Sequence, residues 1–388
     1  MRVLIAFDKF KDSITAERAC AVASEALGAL HPGWAIDPCP LTDGGEGFTE
    51  ILTRAAGGSL VPLAVTGPRG SRVDAAYGIV SVGRIPEAAR LMLALGASGN
   101  EARIGIADMA SASGLALVPA DIRDLERSSS AGTGELIREV ASAGVGALLL
   151  GVGGSATHDL GLGALEILGL RFSDDAGQPL TGIVPLAWPR VRAVGGRIVG
   201  NIPPLLIACD VDNPLLGSRG ALGVYGPQKG LSPTRAEALE GETARVARLL
   251  LAHFGKPEAL ISQPGAGAAG GIALGLMAGV NATLRPGFDL VSSWLDLDRR
   301  IDSCDVVITG EGRFDDSSLN GKGPGEVARR ALQKGKRVHV FAGQVSLSKE
   351  IPGLGVHAVT PRGMELPQAL SSASRLLAEA LRNAFCLG

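Results

Sequence analysis

The alternation of apolar runs and polar breaks is clearest at the amino terminus. Val3-Leu4-Ile5-Ala6-Phe7 is a short continuous apolar run that ends in charge, which predicts a strand buried on both faces of a parallel sheet, with Asp8 at its carboxyl end. After a polar loop over Lys9 to Ser13, apolar residues at Ala19, Val22, Ala23, Ala26, Leu27 and Leu30 recur at helical spacing. Thr15 is placed to cap that helix, Glu17 falls in its first turn, and His31-Pro32-Gly33 ends it. The last third repeats the grammar: a strand over Val306 to Ile308, a glycine-rich loop, a helix from Pro324 through Leu332, a strand over Val338 to Phe341 and another near Val356 to Val359. In the middle, strands at Ala147 to Leu150 and Leu205 to Ala208 are each followed at once by polar and glycine residues. The stretch 170–205, rich in Gly, Pro and Arg, reads as loops or an irregular hairpin. Strands alternating with helices predict an α/β protein of two α/β domains. The expected arrangement is a discontinuous Rossmann-like parallel-sheet domain from residues 1–80 and 290–388, a second α/β domain inserted over 81–289, and an active site in the cleft between them.

Composition narrows the function classes. Of the 388 residues, 46% are hydrophobic and 20% charged, the balance of a chain that folds around ordinary cores. Aromatics make up only 4% while there are 55 glycines, which favours small-residue packing and many turns where backbone approaches a ligand. A net charge of -2 provides no basic field for nucleic acid or an anionic membrane, so any anion must be held locally. The five cysteines are scattered without a C-x-x-C pair, which argues against a disulfide framework or a zinc cage and fits a reducing cytoplasm. The amino-terminal apolar run turns charged too soon for a signal peptide, and no stretch reaches the roughly 18 uncharged apolar residues of a membrane span. No H-E-x-x-H or G-x-S-x-G pattern occurs, which removes the simplest zinc-protease and serine-hydrolase readings.

Phosphoryl transfer needs backbone N–H groups and cations around phosphates, carboxylates for a metal, and a positioned acceptor hydroxyl. Several loops offer these parts, each with a plainer alternative. Asp8-Lys9-Phe10-Lys11-Asp12-Ser13 crowds two lysines and two acids at a strand-to-helix turn, or is a solvated charged loop. Asp43-Gly44-Gly45-Glu46-Gly47 allows close backbone approach beside two carboxylates, or is a tight turn. Gly151 to Thr157 places Gly153, Gly154, Ser155 and Thr157 before a helix-like stretch, a fit for phosphate. In Asp210-Val211-Asp212-Asn213-Pro214 an extended segment would point both acids the same way, for Mg²⁺ or a base, unless it is an Asx-turn. Gly226-Pro227-Gln228-Lys229-Gly230 brings a lysine between glycines, or is a polar turn. Thr309 to Asp315 offers Glu311 and Asp315 for a metal and Arg313 for phosphates, with Lys322 ahead of a helix start at Pro324. The Walker phosphate-loop spacing is absent. Gly151-x-Gly153-x-x-Ala156 and Gly265-x-Gly267-x-x-Gly270 match dinucleotide-loop spacing, although helix packing explains the second as well.

Taken in order, these segments, together with Ser111-Ala-Ser-Gly-Leu115, Gly132-Thr-Gly-Glu-Leu136 and Gly265-Ala-Gly-Ala-Ala-Gly-Gly271, resemble the type I glycerate kinases over almost the whole chain. The resemblance implies transfer of the γ-phosphoryl group of ATP to a hydroxyl of D-glycerate, with Mg²⁺, in a cytoplasmic two-domain α/β protein, giving 2-phosphoglycerate or 3-phosphoglycerate. Four positions depart from the family pattern: Asp12 and Leu160 stand where glycine is usual, Asp108 replaces a glutamate, and His158 an asparagine. On this reading Asp210, or else Asp8, activates the glycerate hydroxyl, while Asp43, Asp212 or Glu311 holds Mg²⁺. Lys9, Lys11, Arg313 and Lys322 bind the carboxylate and neutralise phosphate charge. Asp43, Gly44, Gly45, Glu46, Gly153, Gly154, Ser155, Thr157, Asn213 and Lys229 complete the substrate and ATP contacts. Two rival readings stay open: an NAD-dependent dehydrogenase using Asp174 or Asp175 on the ribose, and a non-catalytic sugar-acid-binding regulator. No nucleic-acid or membrane partner is expected, and the oligomeric state is open.

Overall fold

The computed structural model describes residues 1–96, 99–319 and 323–386. The chain divides into two compact units, one from Met1–Asp43 with Val291–Gly388, the other from Gly44–Leu290. The amino-terminal boundary thus lies well before residue 80, because strands Ser59–Thr66 and Arg72–Ser81 pair antiparallel with each other and the latter with Arg103–Asp108. That pairing commits the 44–80 segment to the second sheet. Its hydrophobic pattern, broken by Pro62, Gly67 and Pro68, gives little sign of it.

In the first unit five parallel strands lie in the order Leu354–Ala358, Arg337–Ser346, Val306–Asp315, Arg2–Phe7, Ala35–Pro38. Counted along the unit this is 2-1-3-4-5, so the winding reverses between Arg2–Phe7 and Val306–Asp315, where open α/β sheets bind ligands at the carboxyl ends of their strands. Helix Ala16–Leu30 forms where the periodicity predicts it; the Thr15 hydroxyl accepts from the Arg18 N–H (3.2 Å), and the stripe from Ala19 to Leu27 is buried. It packs with helix Ala373–Phe385, while Pro324–Gln333, with Pro324 in its first turn, packs against the Val306–Asp315 strand.

One expectation changes here. The segment Thr309 to Asp315 is not a loop but the continuation of the strand, paired with Arg337–Ser346 through Asp315 and Ser346. Its glycines act as close-approach residues: a Cβ on Gly310 would overlap the Phe341 carbonyl oxygen.

The second unit holds a six-stranded sheet in the order Thr283–Pro286, Leu205–Cys209, Ala147–Gly151, Arg103–Asp108, Arg72–Ser81, Ser59–Thr66. The first four strands run parallel, and Asp108, Gly151 and Cys209 finish them close to one level, so that their loops gather at one edge. Of the two readings of 170–205 the irregular hairpin holds for part of it: Leu170–Ser173 pairs antiparallel with Pro179–Leu180 and with Ala193–Gly196. Among the described residues, no helix is long and apolar enough to cross a membrane.

Candidate active site

In the first unit the switch point gathers acids around one lysine. Asp8 leaves the end of its strand with its own N–H bonded to the Gly310 carbonyl (3.0 Å), and its carboxylate accepts from the Lys9 N–H (2.7 Å). The side chain is buried, and desolvation, followed by the neighbouring Asp43 charge, pushes its pKa up to about 7 against the pull of Lys9. Lys9 reaches Asp43 with an Nζ–Oδ1 distance of 3.2 Å. Glu311, on the adjacent strand, is held above the usual carboxylate range first by burial and then by Asp315 and Asp43, with a Ser318 hydrogen bond opposing. Its Oε1 is buried without a hydrogen-bond partner among the described residues. Arg313 pairs with Asp315 (3.0 Å) and is largely exposed, as is Lys11. Lys322 lies outside the described residues.

In the second unit the glycine-rich segments stack backbone on backbone. Gly44 has φ 90°, and its carbonyl accepts from the Gly153 N–H (2.9 Å). A Cβ on Gly153 would come within 2.7 Å of the Gly45 nitrogen, so this glycine is required by the neighbouring loop, whereas Gly154 is required by its own φ of 69°. Glu46 is exposed, and Gly47 (φ 83°) leads into helix Phe48–Ala55. The carboxylate of Asp108 joins two helix starts, accepting from the Ser111 N–H (2.9 Å) and the Thr49 N–H (3.1 Å).

Lys229 is buried, and its ammonium donates to the Ser155 hydroxyl and the Thr157 carbonyl, each at 2.8 Å. Burial pushes its pKa down to about 7, with Asp159 pulling the other way. Asp159, raised by burial, accepts from the Ser130 N–H and hydroxyl, both at 2.7 Å, and from the Gly161 and Gly163 N–H groups. The Gly151 to Thr157 loop is therefore pinned from beneath by a buried cation. Sequence reasoning missed Asp159 and the linking role of Asp108; the only signal was an acid directly before a small-residue helix start.

In the Asp210 loop the two acids have different surroundings. The Asp210 carboxylate accepts from the Phe288 N–H (2.8 Å), at the start of helix Gly287–Trp294. Asp212 is exposed and pairs with Arg219 (2.9 Å), and Asn213 bridges the Arg219 carbonyl and the Tyr225 hydroxyl, each at 2.7 Å. His158, adjacent to the glycine loop, is buried rather than ligand-facing. The Thr243 hydroxyl donates to Leu239 O (2.7 Å), so His158 Nε2–H is the donor to Thr243 (3.0 Å). Among the described residues, no three His, Cys, Asp or Glu side chains form a ready metal cage.

The dehydrogenase reading loses its footing in these contacts. Asp174 accepts from the Ala176 and Gln178 N–H groups in a turn, and the Gly151 to Ala156 spacing serves packing against Gly44 and Gly45. In the other matching segment, Gly267 and Gly270 pack against the Pro214 and Thr157 carbonyls.

Comparison with known proteins identifies the family. The family model described as the glycerate kinase family matches residues 3–387. The chain is 36% identical over 389 residues to a glycerate kinase of Halalkalibacterium halodurans, covering 98% of this chain and 96% of that one. It is 33% identical over 367 residues to a glycerate 2-kinase of Escherichia coli, covering 92% and 89%. A crystal structure from Salmonella typhimurium, described as glycerate kinase 2, superposes with a TM-score of 0.73 at 34% identity, covering 99% of this chain and 97% of that one. The chain belongs to the glycerate kinase family, and its activity is that of a glycerate kinase, an ATP-dependent phosphotransferase with an alcohol group as acceptor.

Proposed function

We propose that the protein transfers the γ-phosphoryl group of ATP to the 2-hydroxyl of D-glycerate, releasing ADP, 2-phosphoglycerate and a proton, with Asp8 as the group that takes the hydroxyl proton. The observation that carries the assignment is the position of Asp8: a buried acid at the switch point of a doubly wound sheet, with a pKa of about 7. Such a group exchanges a proton readily at neutral pH, whereas Asp210 is engaged at a helix start. The 2-position is favoured by the name of the Escherichia coli relative.

Lys9, beside Asp8 and Asp43, neutralises charge on the transferring group, and Lys11 and Arg313 are the exposed cations available to the glycerate carboxylate. The donor set of the first unit also fits Mg²⁺. The unpartnered Oε1 of Glu311 and the Asp43 carboxylate are hard oxygen ligands, and Mg²⁺ commonly takes only one or two protein carboxylates, filling the rest with water and phosphate. Mg²⁺ would supply charge neutralisation of the phosphate oxygens. The backbone N–H groups of Gly154 and Ser155, in the loop kept rigid by Lys229, are assigned to phosphate by the chemistry they offer, the Gly153 N–H being bonded to the Gly44 carbonyl.

Incubation with ATP, Mg²⁺ and D-glycerate followed by phosphorus NMR tests the reaction. Glycerate-dependent ADP formation with a product phosphorus split by one carbon-bound proton is expected. Splitting by two would place the phosphate on the 3-position, and intact ATP with folded protein would overturn the kinase assignment.

A further inference from the structure

Lys229 is a buried cation without a contact ion pair. It is 4% exposed, its ammonium donates only to the Ser155 hydroxyl and the Thr157 carbonyl, and among the described residues no carboxylate lies within salt-bridge distance of it. The charged and titratable groups that face it belong to one segment. Asp159 pulls its pKa up, but the Asp159 oxygens are taken by Ser130, Gly161 and Gly163. His158 stays neutral, its own pKa pushed down to about 3 by burial and then by Lys229. An ammonium is costly to bury unless a counter-charge accompanies it, and the fold of this unit leaves that place to be filled.

The loop that Lys229 holds is open to an anion. Its bonds to the neighbouring Ser113-Gly114-Leu115 segment use the Gly154 carbonyl (2.7 Å) and the Ala156 N–H (2.9 Å). The N–H groups of Gly154 and Ser155 have no partner among the described residues, and Gly154 is exposed. Ser155 links this backbone to the lysine: its oxygen accepts from Lys229, so its own proton remains to be donated. We infer that a phosphate seated on the Gly154 and Ser155 N–H groups is the counter-ion of Lys229, which acts on it through Ser155 and becomes protonated as the nucleotide binds. The lysine positions and charges the loop without touching the nucleotide. The inference rests on the assignment of this loop to phosphate and deepens it, since nucleotide affinity then depends on the charge of a buried amine. The sign follows from burial. With a pKa of about 7 before binding, Lys229 is mostly neutral at pH 8, and a neighbouring anion raises that pKa, so binding draws a proton from solvent.

Calorimetry of metal-free ADP binding at pH 8, repeated in buffers of different ionisation enthalpy, tests it. ADP has lost its phosphate protons at this pH, so a proton taken up goes to the protein. The wild type should take up at least about half a proton per ADP bound. Lys229→Met, unbranched and uncharged, should lose most of this uptake and bind ADP at least about tenfold more weakly, with D-glycerate affinity within about twofold of wild type. Lys229→Arg keeps a charge that it cannot lose, so it should bind ADP within about threefold of wild type and likewise lose the uptake. ADP bound by the wild type without proton uptake, or uptake undiminished in either folded variant, would overturn the counter-ion role and leave the kinase assignment standing. A wild-type protein that neither binds ADP nor consumes ATP would overturn the kinase assignment and this inference with it.

Discussion

At the scale of single residues, the chemistry hangs on side chains whose ionisation the fold has displaced. Lys9 lies beside one of them, Asp8, and pairs with Asp43. Replacing it by alanine removes one preorganised cation and is expected to lower turnover roughly 10²–10³-fold. Steady-state kinetics on folded Lys9→Ala check this, and a loss under threefold would contradict the role. His158 illustrates a displacement with a structural cost. Burial first, then the Lys229 charge, pushes its pKa down to about 3, whereas the unfolded chain titrates near 6.5. The unfolded state therefore binds more protons as pH falls through that window, and the stability present above pH 6.5 is progressively lost toward pH 3. His158→Asn should remove about 2 kcal/mol of the stability difference between pH 7 and pH 5 in denaturant titrations. Asp12 and Leu160 have φ of 59° and 56°, in the left-handed region that favours glycine, the residue the resemblance leads one to expect at each place. Acids at strand ends, such as Asp8, could be picked out from sequence. Asp159 and Asp108 could not, because their partners lie up to 59 residues away in the chain.

At the scale of elements, runs with one clear period were legible and glycine-rich ones were not. The helix Ala16–Leu30, its Thr15 cap and the first strand follow from pattern alone. The strand through Asp315 does not, since glycine weakens strands on average and only the neighbouring Phe341 carbonyl explains its presence at Gly310. That packing makes a direct prediction. Gly310→Ala must push two paired strands apart beside Asp8 and Glu311, and should cost about 3 kcal/mol or more in chemical denaturation. A loss within about 0.5 kcal/mol, the scale of an exposed surface change, would show that the pairing tolerates a methyl group. The small sheet built on Leu170–Ser173 was legible only as loops or an irregular hairpin, for a related reason: its strands are only two to four residues long and separated by Gly and Pro.

At the scale of the whole molecule, the α/β class was legible because strands buried on both faces read as unbroken apolar runs. The amino-terminal boundary was not. The chain leaves the first unit between Asp43 and Gly44, inside a glycine run, and the strands that follow are half-exposed, so neither hydrophobicity nor composition changes there. The family resemblance was carried by many short segments spread over both units, which is why it survived errors in placing individual elements. The assignment of Asp8 can be read in the kinetics of the intact enzyme. The pH dependence of kcat/KM, measured with ATP, Mg²⁺ and D-glycerate for the wild type and for Asp8→Asn, tests it most directly. Because the carboxylate is the active form and its pKa in the free protein is about 7, wild-type kcat/KM should rise with pH through neutrality and level off above it. Asp8→Asn should lose this rise and fall about 10²–10⁴-fold. A folded Asp8→Asn enzyme that keeps the wild-type profile to within threefold would contradict the account.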